Sequence, residues 1–114
     1  MSNVDVVIPA FNAALHLREA IASVMAQTHP VGRVVVVDDA STDATAEIAR
    51  GCGAPVELIT LARNAGAGTA RNAGIAATGA AYIAFLDSDD RWTRDKLALQ
   101  CAALDADPAP MFAL

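Results

Sequence analysis

Strand and helix signals alternate from one end of the chain to the other. Short apolar runs, rich in Val and Ile and bounded by turn residues, predict strands at residues 4–9, 33–38, 56–61 and 81–86. Apolar residues at helical spacing and candidate caps predict helices near residues 13–27, 44–50 and 70–78, and a last helix that Thr93 caps and Pro108 ends. Strands that alternate with helices form a parallel sheet with right-handed crossovers, so we predict an α/β fold with a mainly parallel four-stranded sheet.

The second predicted strand indicates that helices cover both faces of the sheet. All four residues from Val34 to Val37 are valine. A strand with one solvated face alternates apolar and polar residues, whereas a strand buried on both faces is apolar throughout. In the first predicted helix, Leu17, Ile21 and Val24 follow the i, i+4, i+7 spacing of one apolar face. We therefore expect this helix to pack on the sheet.

Length and composition predict one compact domain, which we assign to residues 1–114. A hydrophobic fraction of 54% and a charged fraction of 18% are typical of a globular chain rather than a disordered one. The apolar residues from Met111 to Leu114 follow a proline turn, as the start of a strand would. We expect a partial sheet, truncated at this fifth strand. Its open edge favours self-association, which sedimentation of the purified chain would detect.

Charge and cysteine content indicate which partners and which cellular compartment suit the chain. Eight basic and 13 acidic residues give a net charge of −5, which argues against nucleic acid because phosphate backbones are bound by Lys and Arg patches. Cys52 and Cys101 are too few for a disulfide framework and form no CxxC pair. The sequence has neither a signal-peptide pattern nor an apolar run of about 18 residues. We expect a cytoplasmic protein without a transmembrane segment.

Two clusters of acidic residues follow predicted strands. Asp87 and Asp89, with Ser88 between them, come directly after the fourth strand, and Asp39 ends the second. The carboxyl ends of parallel strands meet at one edge of a sheet, where ligands bind in open α/β folds. Carboxylate oxygens are ligands that Mg²⁺ and Mn²⁺ favour. Either cluster alone is better read as a polar turn that caps a helix; together they favour a metal site.

A segment rich in glycine and alanine, residues 62–69, precedes the third predicted helix. Glycines at a helix N-terminus let the backbone approach a phosphate group, although such a segment is also typical of a flexible loop. Arg71 lies one turn into this helix and can bind a diphosphate or order the acidic cluster. The alternative for Arg71 is an ordinary surface ion pair with a neighbouring carboxylate.

Four ordered motifs make the chain resemble a known family of enzymes. They are residues 7–12 (VIPAFN), 36–43 (VVDDASTD), 64–66 with 70–74 (NAG and ARNAG) and 85–90 (FLDSDD). In this order they resemble the nucleotide-binding half of the family 2 glycosyltransferases, which adopt the Rossmann-like GT-A fold. The resemblance extends over about residues 4–96.

The resemblance implies that the donor is a nucleoside diphosphate sugar, UDP-linked in the first instance. Pro9, Ala10 and Phe11 would line the base and ribose pocket. Asp39 would hydrogen-bond the nucleobase, and Arg71 would lie near the base or the diphosphate.

The resemblance also implies a divalent metal, Mn²⁺ or Mg²⁺, at the DXD motif. Asp89 would ligate the ion, and Asp87 would face the ribose and a metal-bound water, with Ser88 beside them. We expect Asp90 to position the loop and helix that follow. The implied reaction is an inverting transfer to a saccharide, lipid or protein hydroxyl at the inner face of the membrane.

The sequence departs from the family pattern in two respects. Ala40 stands where glycine is common in the family. An inverting transfer also needs a general base that deprotonates the acceptor, and we find no good candidate for it in this chain. The chain therefore fits a donor-binding half, which by itself need not transfer a sugar.

Two alternatives belong to other functional classes. The spacing of Gly66 and Gly68, with Asp87 about twenty residues on, partly fits the dinucleotide fingerprint of an oxidoreductase. Arg71 at the third glycine position argues against it, and NADH binding would test it. The other alternative is a non-catalytic, truncated module.

Overall fold

A computed structural model describes residues 3–106 of the chain. Strands and helices alternate in it as predicted. The elements are β1 (Val4–Ala10), α1 (Leu17–Met25), β2 (Val34–Asp38), α2 (Thr45–Gly51), β3 (Val56–Thr60), α3 (Ala67–Ala76), β4 (Tyr82–Phe85) and α4 (Lys96–Ala106). The four strands form one parallel sheet in the order β3-β2-β1-β4. The predicted fifth strand, from Met111 to Leu114, lies outside the described residues.

Helices cover both faces of the central strands, as the all-valine run predicts. Every residue of β1 and of β2 is buried. On one face, Val6, Ile8 and Val36 belong to a core that also contains Leu17 of α1 and Leu97 of α4. The opposite face has a smaller core, in which Val7, Val35 and Val37 pack with Ala70 of α3. The pleat of the strands thus divides their side chains between two helical layers.

Two helices begin at other residues than the sequence predicts. α1 begins at Leu17 rather than Ala13, because the residues before it form a turn that is hydrogen-bonded to a neighbouring loop. α3 begins at Ala67, three residues before the predicted start at Ala70. Gly66 is its N-cap with φ +95°, a value that glycine adopts without strain.

Two further helix ends differ from the predicted ones. α4 begins at Lys96, so Thr93 is not its N-cap; the Thr93 carbonyl instead accepts from the Lys96 amide in the turn before the helix. α3 ends at Ala76 with a right-handed C-cap at Ala77, before the predicted end at Thr78. Local sequence places such ends poorly, since caps compete with tertiary hydrogen bonds.

The Gln27 side chain joins the end of α1 to the start of α4. Its amide nitrogen donates to the Thr93 carbonyl at 2.7 Å, and its oxygen accepts from the Leu97 amide at 3.1 Å. These bonds fix the segment that follows β4 against the core.

β3 and β4 are the edge strands of the described sheet. Self-association through an open edge stays a prediction. None of the described helices combines the length and the apolar character needed to cross a membrane.

Candidate functional site

A cleft of about 440 Å³ lies at the carboxyl ends of β1, β2 and β4. It brings Asp39 and Asp89 together, as the strand-end argument predicts. Seven of the residues singled out in the sequence line it: Pro9, Ala10, Phe11, Asp39, Asp87, Ser88 and Asp89. The cleft is also lined by residues that the sequence argument missed: Asn12, Ala13, His16, Ala67 and Ala70.

The loop after β1 is held by the loop after β2. Asn12 has a positive φ of 48°, and its amide N–H donates to Ser41 Oγ at 2.9 Å. Its side-chain oxygen accepts from the Thr42 amide at 2.9 Å. The Ala14 amide donates to Asp43 at 3.2 Å. The two loops therefore form one unit that holds the Phe11 wall of the cleft.

Thr45 and Asp43 complete this unit. The buried Thr45 hydroxyl accepts from the Ala13 amide at 2.8 Å and donates to the Asp43 carboxylate. The hydrogen bond from Thr45 stabilises the charged form of the carboxylate and lowers the pKa of Asp43 below its usual range. The polar sequence after β2 predicts a helix cap, but the N-cap of α2 is Ala44, without a side-chain cap bond. Its polar side chains brace the neighbouring loop instead.

The carboxylate of Asp39 binds the start of α3. Its two oxygens accept from the Ala65 amide at 2.8 Å and the Gly66 amide at 2.9 Å, and the residue is 4% exposed. An anion at a helix N-terminus is favourable, and here a side chain of the protein supplies it. This corrects the sequence argument, in which the glycine-rich segment offers its N–H groups to a phosphate: two of them already have a partner.

Asp87, Asp89 and Asp90 form an exposed carboxylate cluster. One oxygen from each of the three side chains lies within 4.8 Å of the others. Oxygen donors at this spacing fit a hard divalent cation such as Mg²⁺ or Mn²⁺, so the donor set suits the implied metal. From the sequence we predict that Asp90 positions the loop that follows. In the structure its side chain joins the cluster, and its amide donates to the Asp87 carbonyl at 3.0 Å.

Arg71 contacts the cluster from α3. Its Nη2 lies 3.6 Å from Asp87 Oδ1, and both side chains are substantially exposed, at 42% and 59%. An exposed pair of this kind contributes little to stability, so either group is free to exchange its partner for a ligand. Arg71 lines a second pocket, which adjoins the cleft at Asp87.

The missed residues have weak sequence signals or none. His16 is exposed at the N-cap of α1, and a single histidine in a helical stretch is no signal for a site. Ala67 and Ala70 line the cleft because α3 begins earlier than predicted. A predicted helix start just after Gly66 would have placed both alanines at the cleft.

A comparison with protein families gives one match to the chain. The model described as "Glycosyl transferase family 2" matches residues 5–113. Among curated proteins, the teichuronic acid biosynthesis glycosyltransferase TuaG of Bacillus subtilis, itself named as putative, is 38% identical over 100 residues, which are 85% of this chain and 40% of TuaG. The succinoglycan biosynthesis protein ExoO of Rhizobium meliloti is 45% identical over 105 residues, or 91% of this chain and 30% of ExoO.

Solved structures of glycosyltransferases share the fold. S. aureus TarS (residues 1–349) in complex with UDP-GlcNAc superposes with a TM-score of 0.84 and 29% identity, over 91% of this chain and 31% of that one. The mannosyltransferase PcManGT from Pyrobaculum calidifontis, in complex with GDP-Man and Mn²⁺, superposes with a TM-score of 0.85 and 29% identity. The match covers 94% of this chain and 33% of that one. The chain spans less than half the length of each of these relatives.

Proposed function

The chain belongs to glycosyl transferase family 2, and on that premise we propose that it is the donor-binding part of an inverting, metal-dependent sugar transferase. The observation that carries the proposal is the shared cleft, in which Asp39, Asp87 and Asp89 face one cavity beside Pro9, Ala10 and Phe11. Two solved relatives hold UDP-GlcNAc in one case, and GDP-Man with Mn²⁺ in the other. Family membership favours this reading over a dinucleotide-dependent oxidoreductase.

The wall formed by Pro9, Ala10 and Phe11 binds the nucleoside. The Phe11 side chain is 50% exposed, so its ring is available to stack on a base. Asp39 keeps a free lone pair on each oxygen besides the two amides it binds, and these can accept an N–H from the base. Because UDP-GlcNAc is bound by TarS, a UDP-sugar is the first donor to test.

Asp89 and Asp87 hold Mn²⁺ or Mg²⁺, with Asp90 within reach of the same ion. When bound, the ion supplies positive charge that stabilises the departing nucleoside diphosphate. Ser88 lies between the two ligands and faces the donor cleft. Arg71 pairs with Asp87 at the side of the cluster, and from there it would contact the base or the diphosphate.

Inversion requires a carboxylate that removes the proton of the acceptor hydroxyl as the hydroxyl attacks the anomeric carbon. We assign no such base among the described residues, since the cleft carboxylates bind the α3 loop or belong to the metal cluster. The acceptor is a saccharide, lipid or protein hydroxyl.

Calorimetric titration of UDP into the chain, with and without Mn²⁺, tests the proposal. We expect Mn²⁺ to strengthen UDP binding and Asp89→Ala to remove that gain. Glu47→Gln, an exposed acid on α2, is the matched control and should behave as the unchanged chain does. Equal UDP affinity with and without metal, in the unchanged chain and in Asp89→Ala alike, would contradict the proposal. GDP in place of UDP identifies the preferred base.

A further inference from the structure

The second pocket, which adjoins the cleft at Asp87, has the opposite electrostatic character. It encloses about 400 Å³, and Arg71, Arg91 and Lys96 line it together with Trp92. We call it the basic pocket. Three of the eight basic residues of a chain with net charge −5 thus gather in one place. Such a concentration of cations favours an anionic ligand.

Two carboxylates, Asp87 and Asp90, also line the basic pocket and offset part of its charge. Both belong to the carboxylate cluster proposed to hold the metal. When a divalent ion takes up these carboxylates, the positive charge of the three cations is no longer balanced locally. Metal binding and anion binding should therefore strengthen each other.

Lys96 is the group in this pocket that lacks a counter-ion. Its Nζ lies 4.6 Å from the centre of the Trp92 ring and donates to Gln100 Oε1 at 3.0 Å. It forms no ion pair with any carboxylate in the described part of the chain. Burial lowers the pKa of this half-buried ammonium. A partly desolvated charge of this kind gains free energy when an anion approaches.

Arg91 is also available to a ligand. Its only described carboxylate contact is Glu19, with Nη1 and Oε2 3.5 Å apart, and both side chains are more than 60% exposed. An ion pair so open to water is weak, so the guanidinium can turn to a ligand at little cost. A guanidinium and an ammonium together suit the several acceptor oxygens of a phosphate or carboxylate group.

From this arrangement we propose that the basic pocket binds an oxyanion, a phosphate or a carboxylate, carried by the acceptor or by the transferred sugar. The proposal rests on the proposed function, because the nucleoside cleft and the carboxylate cluster account for the donor nucleotide and its diphosphate. An oxyanion in the neighbouring pocket is then a separate group. The pocket thereby selects anionic substrates.

The ¹H–¹⁵N NMR spectrum of the labelled chain reports this binding directly. Trp92 is the only tryptophan and lines the pocket, so its indole N–H gives one assignable signal. Titration with inorganic phosphate at constant ionic strength should shift this signal along a saturable isotherm. Mg²⁺ should lower the phosphate concentration at which the shift is half complete. A shift that never saturates, or none at all, overturns the proposal.

A matched pair of variants separates charge from packing. Lys96→Met keeps an apolar stem over Trp92 but removes the charge, and we expect phosphate binding to weaken about tenfold or more, as for the loss of a charge-assisted hydrogen bond. Lys96→Arg keeps the charge and should retain binding, which also shows that the site tolerates substitution. Arg50→Gln, an exposed cation on α2, should change nothing. Equal phosphate affinity in Lys96→Met and the unchanged chain contradicts the proposal.

Competition with the donor identifies the source of the anion. With UDP and Mg²⁺ present, a retained phosphate isotherm supports a separate subsite. Displacement of phosphate by UDP would instead make the pocket the diphosphate site and overturn the proposal. A Trp92 shift beyond that caused by UDP, seen with UDP-glucuronate but not with UDP-glucose, assigns the anion to the transferred sugar. No shift beyond that of UDP with either donor assigns the anion to the acceptor. Phosphate binding without any UDP binding would refute the proposed function alone.

Discussion

The carboxylate of Asp39 binds the loop before α3 and also faces the donor cleft. It accepts two backbone hydrogen bonds there, from Ala65 and Gly66, while it lines the cavity. A ligand that hydrogen-bonds Asp39 therefore contacts the group that sets the start of α3. Loss of this carboxylate should affect stability as well as nucleotide binding.

Asp39→Asn should destabilise the chain by about 1–3 kcal/mol, because the amide NH₂ cannot accept and leaves a backbone N–H of the loop without its partner. Urea unfolding measures the loss, and hydrogen exchange should accelerate at Ala65 and Gly66. The matched control is Asp87→Asn, whose ion pair with Arg71 is exposed on both sides. We expect that change to stay within about 0.5 kcal/mol. Equal effects of the two substitutions would contradict this role of Asp39.

Asp43 makes the contact between the two cleft loops dependent on pH. The Thr45 hydrogen bond lowers the pKa of Asp43 in the folded chain. The charged carboxylate therefore stabilises the fold fully above the pKa that Asp43 has in the unfolded chain. This stabilisation is lost as the pH falls through the pKa of Asp43 in the folded chain. Thr45→Val should raise the pKa of Asp43 toward its ordinary value. NMR titration of the Asp43 carboxyl group measures its pKa in the unchanged chain and in Thr45→Val. An unchanged pKa in Thr45→Val would show that the hydroxyl is not its cause.

At the scale of elements, α3 is distinguished by how closely it packs on the sheet. A Cβ placed on Gly74 would lie 2.3 Å from a methyl carbon of Val7 in β1. Valine has a stiff χ1 and this one is fully buried, so it cannot turn aside cheaply. The glycine thus sets the distance between α3 and β1, and with it the position of the cleft wall that Ala67 and Ala70 contribute.

Gly74→Ala should lower the free energy of unfolding by about 1–3 kcal/mol through overpacking. Gly68→Ala is the control in the same helix, since a Cβ there meets nothing within 4 Å. It should leave stability unchanged or raise it by up to about 1 kcal/mol through helix propensity. Chemical denaturation of both variants measures the difference. Similar values for the two would mean that α3 shifts to accommodate the methyl group.

At the scale of the whole molecule, the parallel order of β1, β2 and β4 collects distant acids at one edge of the sheet. This edge repels an anionic nucleotide until a cation intervenes. In a chain with net charge −5, metal and nucleotide should therefore bind cooperatively.

UDP and Mn²⁺ together should raise the midpoint of thermal unfolding by more than the sum of their separate shifts. A ligand at about 100 times its Kd adds about 2.7 kcal/mol of stability, which is several degrees for a domain of this size. Asp89→Ala should abolish the excess, and Glu47→Gln should preserve it. Shifts that are merely additive in the unchanged chain would argue against a shared site.

Much of the fold and part of the site follow from local sequence patterns. The apolar runs predict all four described strands, and the strand ends predict that Asp39, Asp87 and Asp89 converge. Local patterns predict the start of α3 three residues too late, and they give no sign of His16 at the cleft or of the Lys96–Trp92 contact. These features depend on contacts between residues far apart in the sequence, such as the hydrogen bond between Asp39 and Gly66 across 27 positions.

The order of elements and the burial of the central strands were determined by the sequence alone, because hydrophobic periodicity acts over a few residues. Tertiary structure decided which polar groups pair across loops. It assigned the N–H groups of the glycine-rich segment to Asp39 rather than to a phosphate, and it gathered Arg71, Arg91 and Lys96 into a pocket of their own. Hydrogen bonds and charges act through space at distances of a few ångströms, and only the folded chain sets those distances.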